Sequence, residues 1–234
     1  VPTDIPIVKS FYEQGLPVWG EVELAYRTGK GRVLAITGTN GKTTTTALLG
    51  KIMGDAEESV FVVGNIGTPY TSKALEMQDN TTTVAEISSF QLETIEEFAP
   101  KVSAILNITE DHLNRHHTME EYIRVKELIV KNQTADDFCI LNYEDSVLRE
   151  FGRNITPKVV YFSSVRRLEE GIYLDGDQII YNPEILAPEF ERSGYNSVWT
   201  DGETDEWLQT VENGIVTACS RTGGKGGWQL YSIS

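Results

Sequence analysis

Four groups of residues in this 234-residue chain have types and spacings that could do chemistry. The first is Thr37-Gly38-Thr39-Asn40-Gly41-Lys42-Thr43-Thr44, set between a β-branched run and a helix-like pattern. Glycines there let the backbone turn tightly with N–H groups inward. The lysine adds a point charge for terminal phosphates, and the next threonine offers a hydroxyl to Mg²⁺. The sequence therefore predicts a P-loop nucleotide cradle over Gly38, Thr39, Asn40, Gly41, Lys42, Thr43 and Thr44. The usual G-x-x-x-x-G-K-[ST] spacing would put glycine where Ile36 stands, so the match is to a shorter variant. The plain alternative is a glycine turn with a surface lysine.

Glu86 stands in Val84-Ala85-Glu86-Ile87, an otherwise apolar run just ahead of Ser88-Ser89. A carboxylate there is costly unless paired or bound to a cation, and strand C-termini are where open α/β sheets bind ligands. The alternative is a structural ion pair or a side chain reaching solvent. Asn107-Ile108-Thr109-Glu110-Asp111-His112 also puts polar groups behind an apolar run. His112 is open either to a metal or phosphate role beside Asp111 or to a structural hydrogen bond. Lys126 has Tyr122, Ile123, Ile129 and Val130 at helical neighbour spacing. A lysine on such a stripe has a depressed pKa and, as a neutral amine, can take up CO₂. The carbamate so formed is an oxygen ligand suited to Mg²⁺. The alternative carries the lysine head past the apolar face to water, and the pattern alone favours it.

These groups need rigid elements behind them. Residues 33–37 read as a buried strand, followed by the glycine turn and a helix over 43–53. Residues 60–63, 84–87 and 102–108 read as further strands, with a helix over 90–98 that stops before Pro100. The clearest helix is 118–133, opening on a Thr118-x-x-Glu121 capping box. Strands at 138–142 and 159–162 complete an alternation that predicts an α/β fold, a mostly parallel sheet flanked by helices on both faces. Asp175-Gly176 between apolar runs adds a small β-hairpin. Beyond Pro183 periodicity fades, Trp199, Trp207 and Trp228 gather, and 223–227 reads as linker.

Composition narrows the function classes. Lys+Arg total 20 against 35 for Asp+Glu, a net charge of −15. A nucleic-acid backbone binder needs a basic face and is excluded, whereas a small anion needs only a few local donors. The two cysteines show no metal-ligand spacing, which favours a reducing compartment. No apolar run approaches the roughly 18 residues of a membrane span, and no signal-peptide pattern opens the chain. It begins with Val1, so a longer parent protein is expected.

Taken together, the 37–44 loop, Gly64-Asn65-Ile66-Gly67, Glu86-Ile87-Ser88-Ser89-Phe90-Gln91-Leu92-Glu93, the 107–112 element and Tyr122-Ile123-Arg124-Val125-Lys126 resemble the Mur ligases. The loop and the Asp-His element are shared with folylpolyglutamate synthases. The Ser-Ser-Phe-Gln-Leu-Glu string and Trp19-Gly20-Glu21-Val22-Glu23-Leu24 are similar to the branch that adds D-glutamate to UDP-N-acetylmuramoyl-L-alanine in peptidoglycan synthesis. Such ligases have three domains. The resemblance implies that 1–31 lead in from an N-terminal UDP-binding domain and that 32–182 form the central ATP-binding domain. Residues 183–234 have no counterpart. They are a divergent domain end or foreign or disordered sequence, and the change of composition favours the second.

For the site, the resemblance implies ATP on Lys42 and Thr43 and two Mg²⁺ positions served by Thr43, Glu86, His112 and a carbamylated Lys126. It puts Lys42, Glu86, His112 and Lys126 in the catalytic machinery, with Asn65 and Ser88 near the phosphates and substrate. The implied reaction makes an acyl phosphate from the substrate carboxylate and ATP, which the D-glutamate amine then opens. A monomeric bacterial cytoplasmic enzyme with no membrane or nucleic-acid partner is implied. The family's downstream Gly-x-His-Asn element and C-terminal domain do not occur in this sequence, so the chain is expected to bind ATP·Mg²⁺ weakly and ligate nothing. The competing readings are a non-catalytic nucleotide-binding fragment and a folylpolyglutamate-type ligase.

Overall fold

Short runs of valine, isoleucine, alanine and threonine build the inner strands, because such side chains suit a pleated surface that is buried on both faces. The computed structural model describes residues 3–65, 67–176 and 178–182, and strands at 198–200, 206–212 and 215–222. Ile66, the start of the tail at 183–197 and the expected linker at 223–227 lie outside the described residues.

In chain order the elements are α1 (Pro6–Glu13), α2 (Glu21–Thr28), β1 (Arg32–Thr37), α3 (Lys42–Ala56), β2 (Val60–Gly64), α4 (Thr71–Ala74), β3 (Thr82–Glu86) and α5 (Ser89–Leu92). They continue with β4 (Val102–Ile105), α6 (Leu113–His116), α7 (Met119–Glu127), β5 (Phe138–Asn142), α8 (Ser146–Gly152), β6 (Lys158–Ser163), β7 (Gly171–Asp175) and β8 (Gln178–Asn182). These eight strands form one sheet in the order β2-β3-β1-β4-β5-β6-β7-β8. Every pair up to β7 is parallel. β8 returns antiparallel on β7 past Gly176, whose φ of +63° favours glycine. The expected α/β fold with one hairpin is what forms. A second sheet of β9 (Val198–Thr200), β10 (Glu206–Glu212) and β11 (Ile215–Thr222) is antiparallel. It occupies a stretch where the sequence offered no periodicity.

Three elements are shorter than expected, each for a local reason. β4 ends at Ile105 rather than 108. Leu106 N–H still bonds Thr37 O, but the Asn107 carbonyl turns to Thr39 N–H. The helix expected over 90–98 is only α5, because Glu23 of α2 takes its later donors. The buried Glu23 carboxylate accepts from the N–H groups of Glu96 (2.9 Å), Glu97 (2.9 Å) and Phe98 (3.1 Å). The helix expected over 118–133 is α7 followed by a 3-10 turn at Leu128–Val130. Thr118 caps Glu121 N–H, but the Glu121 carboxylate binds Arg124 at 2.6 and 2.8 Å instead of closing the capping box.

Coverage of the sheet is uneven. On one face Val22 of α2, Leu92 of α5, Val125 of α7 and Leu148 of α8 pack with Ala35, Ala85, Ile105 and Leu141. On the other, α3 lays Leu49 and Met53 over Ile36, Val84 and Ala104. One helix about 10 Å across covers about two strands at their usual spacing. Beside α3, among the described residues, an apolar groove of 410 Å³ therefore lies open over Val102, Ile140 and Phe162. No described helix is long and apolar enough to cross a membrane.

Candidate functional site

The strand ends lie level, with Ile36 opposite Glu86 and Thr37 opposite Ile105. From β1 the chain leaves toward β2, and from β4 toward β5. Connections diverge between those strand ends, which is where open parallel sheets bind ligands. The 37–44 loop fills that crevice. Gly38 (φ +146°) and Gly41 (φ +83°) turn it, and a Cβ on Gly38 would crowd Leu106 at 3.1 Å.

The loop is fastened from the far side of the crevice. Thr39 N–H donates to Asn107 O (2.9 Å), Asn40 N–H to Asn107 Oδ1 (2.8 Å), and Asn107 Nδ2 back to Asn40 O (3.0 Å). With those two amides engaged, the first turn of α3 offers further donors to an anion. That turn has no side-chain cap, so Lys42, Thr43 and Thr44 present amides with no intrahelical carbonyl. Thr44 is exposed there.

Glu86, the last residue of β3, is buried with 1% exposure. It accepts from Thr43 Oγ1 (2.9 Å) and Asn65 Nδ2 (3.1 Å), and no ion pair to it forms among the described residues. Both partners are neutral, so no cationic side chain competes for its oxygens. Gly64 (φ +115°) makes this possible, since a Cβ there would stand 2.1 Å from Glu86 O. Ser88 caps α5 in a full capping box with Gln91.

Lys126 is almost as deeply buried as Glu86, with 2% exposure, which overturns the reading that it reaches water. Its Nζ donates to Gly38 O (2.8 Å), the carbonyl that also takes Lys42 Nζ (3.0 Å). Lys42 makes a second bond to Thr39 O (2.8 Å), leaving one of three ammonium donors free. Burial pushes Lys126 down to about 7, the Lys42 charge adds to the effect, and Asp111 opposes it. At that value a large share of neutral amine exists near neutral pH.

Lys42, Asn65, Ser88, His112 and Lys126 meet around a cavity of 190 Å³, so the structure brings these five expected residues together. Glu86 and Thr43 adjoin it through Asn65. His112 sits in the left-handed region (φ +53°), its ring half-exposed, 3.4 Å from Asp111 and against Phe90. Among the described residues no three His, Cys, Asp or Glu side chains cluster as a ready metal cage. A hard cation here would draw on Glu86, hydroxyl and phosphate oxygens, the ligand type Mg²⁺ takes.

Sequence reasoning missed two neighbours. The sequence puts Tyr122 only on the apolar stripe, yet its hydroxyl lies 3.2 Å from Thr39 Oγ1. His116 is buried, stacked on Phe90 and 2.9 Å from Ser89 Oγ; burial lowers its pKa, with Glu93 opposing. The i to i+4 spacing of Tyr122 and Lys126 was the available signal for the first. For His116 there was none.

Comparison with known proteins bears on the family. Residues 36–182 match the family described as the Mur ligase middle domain. A UDP-N-acetylmuramoylalanine--D-glutamate ligase of Lachnoclostridium phytofermentans is 59% identical over 184 residues, covering 79% of this chain and 40% of that protein. One of Lachnospira eligens is 59% identical over 181 residues, 77% of this chain and 40% of the relative. The chain thus spans about 40% of the length of these curated relatives. Among solved structures, a UDP-N-acetylmuramate:L-alanyl-gamma-D-glutamyl-meso-diaminopimelate ligase from Neisseria meningitides aligns with TM-score 0.54 at 16% identity, over 77% of this chain and 62% of that one. MurF ligase from Thermotoga maritima in complex with ADP aligns with TM-score 0.50 at 22% identity, over 68% and 39%. Those two likenesses speak to the fold alone. The family match, spanning more than half of the sequence, is of another kind, and by it the chain belongs to the Mur ligase middle-domain family.

Proposed function

We propose that this chain is the ATP-binding part of a ligase that adds D-glutamate to UDP-N-acetylmuramoyl-L-alanine in the bacterial cytoplasm. The observation that carries the reading is the meeting of Lys42, Asn65, Ser88, His112 and Lys126 on one cavity, with the Glu86 carboxyl beside it bonded only to neutral groups among the described residues. The names of the relatives at 59% identity support the choice of D-glutamate over a folate-linked acceptor. In this reading 1–31 lead in from a UDP-binding domain, 32–182 hold ATP, and 183–234 lie beyond the family's pattern.

Gly38, Thr39, Asn40 and Gly41 shape the loop, and the first turn of α3 with Thr44 receives phosphate oxygens. Lys42 turns its free N–H to the terminal phosphate. Thr43, Glu86, His112 and Lys126, once carbamylated, would hold metal, and Asn65 and Ser88 would face phosphate and substrate. Mg²⁺, when bound, neutralises charge on the transferring phosphoryl group. A carbamate suits Lys126, because it turns two like charges on one carbonyl into an opposite pair with Lys42. The acceptor carboxylate attacks the γ-phosphorus, the β–γ P–O bond breaks to release ADP, and the D-glutamate amine then displaces phosphate from the acyl phosphate.

Calorimetric titration of the 234-residue chain with ADP and Mg²⁺ tests the reading. Lys42→Ala is expected to weaken binding about 10- to 100-fold, the worth of charged hydrogen bonds. No binding by the unaltered chain ends the nucleotide reading, and turnover with all three substrates ends the expectation that this length alone is inactive. Phosphate release that responds to folate rather than the UDP-sugar would favour the folylpolyglutamate alternative. Carbon-13 NMR in labelled bicarbonate reports the Lys126 carbamate directly.

A further inference from the structure

Tyr122 is 1% exposed and touches both halves of the site. Thr39 Oγ1 donates to Thr109 O (3.1 Å) and accepts from Thr109 N–H (3.0 Å), so its one proton is in use. The 3.2 Å contact with Tyr122 is therefore a bond donated by the phenol. At its other side the Tyr122 ring presents its face to Lys126 Nζ, 4.7 Å from the centroid. One side chain on α7 thus grips the loop at Thr39 and roofs the amine that binds the loop at Gly38.

We propose that Tyr122 is a positioning residue that fixes the 38–43 loop through its hydroxyl and shields Lys126 through its ring. Tyr122 shares the main core with Val125 of α7 and Ile129 of the 3-10 turn that follows, so this segment keeps two other buried apolar anchors when Tyr122 is altered. The two ends are chemically separable. Tyr122→Phe removes only the hydroxyl, and Tyr122→Leu removes hydroxyl and ring while keeping an apolar side chain in place. The inference rests on the nucleotide reading for one of its three measurements and stands apart from it in the other two.

The experiment compares the full chain with Tyr122→Phe and Tyr122→Leu. It measures amide exchange over 38–43, acetylation of Lys126 by acetic anhydride relative to exposed Lys51, and ADP affinity. For Tyr122→Phe we expect faster exchange confined to the loop, about fivefold weaker ADP binding from one lost hydrogen bond, and unchanged Lys126 labelling. For Tyr122→Leu we expect the same loop effect plus severalfold faster Lys126 labelling. General destabilisation would move both readouts in both variants, so the conservative ring must rescue labelling and not exchange. Wild-type loop exchange in Tyr122→Phe, or equal labelling in the two variants, overturns the proposal. Failure of the unaltered chain to bind ADP overturns the nucleotide reading alone, and the exchange and labelling measurements still decide the role of Tyr122.

Discussion

The two ends of one sheet treat charge in opposite ways. At the N-terminal end Arg32 pairs with Glu57, and Thr82 donates to the same carboxylate. Gly31 (φ +82°) packs so closely that a Cβ would meet Thr81 O at 2.1 Å. At the C-terminal end Gly64 uses the same device against Glu86 O, also at 2.1 Å. There, however, among the described residues Glu86 has only neutral partners, and Lys126 has a carbonyl and the face of the Tyr122 ring. Opposite charges closed on each other leave nothing for a ligand. Charges buried among neutral partners cost stability and are completed by whatever binds. Tight backbone turns are therefore no mark of the site in this fold. The state of its charges is.

The glycines should show the largest and most equal effects. Gly64→Ala and Gly31→Ala each force a Cβ into a carbonyl at a left-handed position, and each is expected to cost about 3 kcal/mol or more in urea unfolding. A difference above about 1 kcal/mol would break the equivalence of the two backbone devices. Lys126 comes next. Its folded pKa of about 7 lies below the ordinary 10.5, so between those values the unfolded chain binds more protons and stability rises with pH. Below pH 7 the penalty is full, and Lys126→Met is expected to stabilise the chain at pH 6 by about 2 kcal/mol, with the gain gone by pH 10.5. A gain independent of pH would show that packing rather than charge is responsible.

The smallest effects separate the ends most sharply. Glu86→Gln keeps the shape and removes the buried carboxyl, so stability is expected to hold or rise by about 1 kcal/mol while Mg²⁺ ceases to strengthen ADP binding. Glu57→Gln is expected to lose about 0.5 kcal/mol, the worth of a surface pair, with ADP binding unaltered. If Glu57→Gln weakened ADP binding as much as Glu86→Gln, the division between the two ends would fail.

What could be read from the sequence follows from the range of the forces involved. The strands were legible because burial on both faces demands continuous apolar runs, as in Val33-Leu34-Ala35-Ile36 and Phe138-Cys139-Ile140-Leu141. The hairpin was legible because Asp175-Gly176 encodes its own turn. The end of α5 was not, because the group that stops it is Glu23, some seventy residues earlier. The half-formed cap at Thr118 failed for a nearer reason, competition from Arg124 for Glu121. Of the site, Lys42 and Glu86 could be singled out from chemistry at strand ends. For Lys126 the stripe gave a choice between burial and escape to water, which only the depth of α7 against the loop decides. Tyr122 and His116 act through contacts across the fold, with Thr39 and Ser89, which spacing hints at only through the i to i+4 pairing of Tyr122 with Lys126.

The peptide plane between Gly38 and Thr39 is held at both edges. Its carbonyl receives Lys42 and Lys126, and its N–H donates to Asn107 O. A flip of that plane would break all three bonds together, so the flipped state is scarcely populated and exchange of the Thr39 amide should be the slowest in the turn. An arriving anion therefore meets donors that already point at it. Little of its binding energy goes to ordering the loop, and folding itself has done the work of selecting the receptive state.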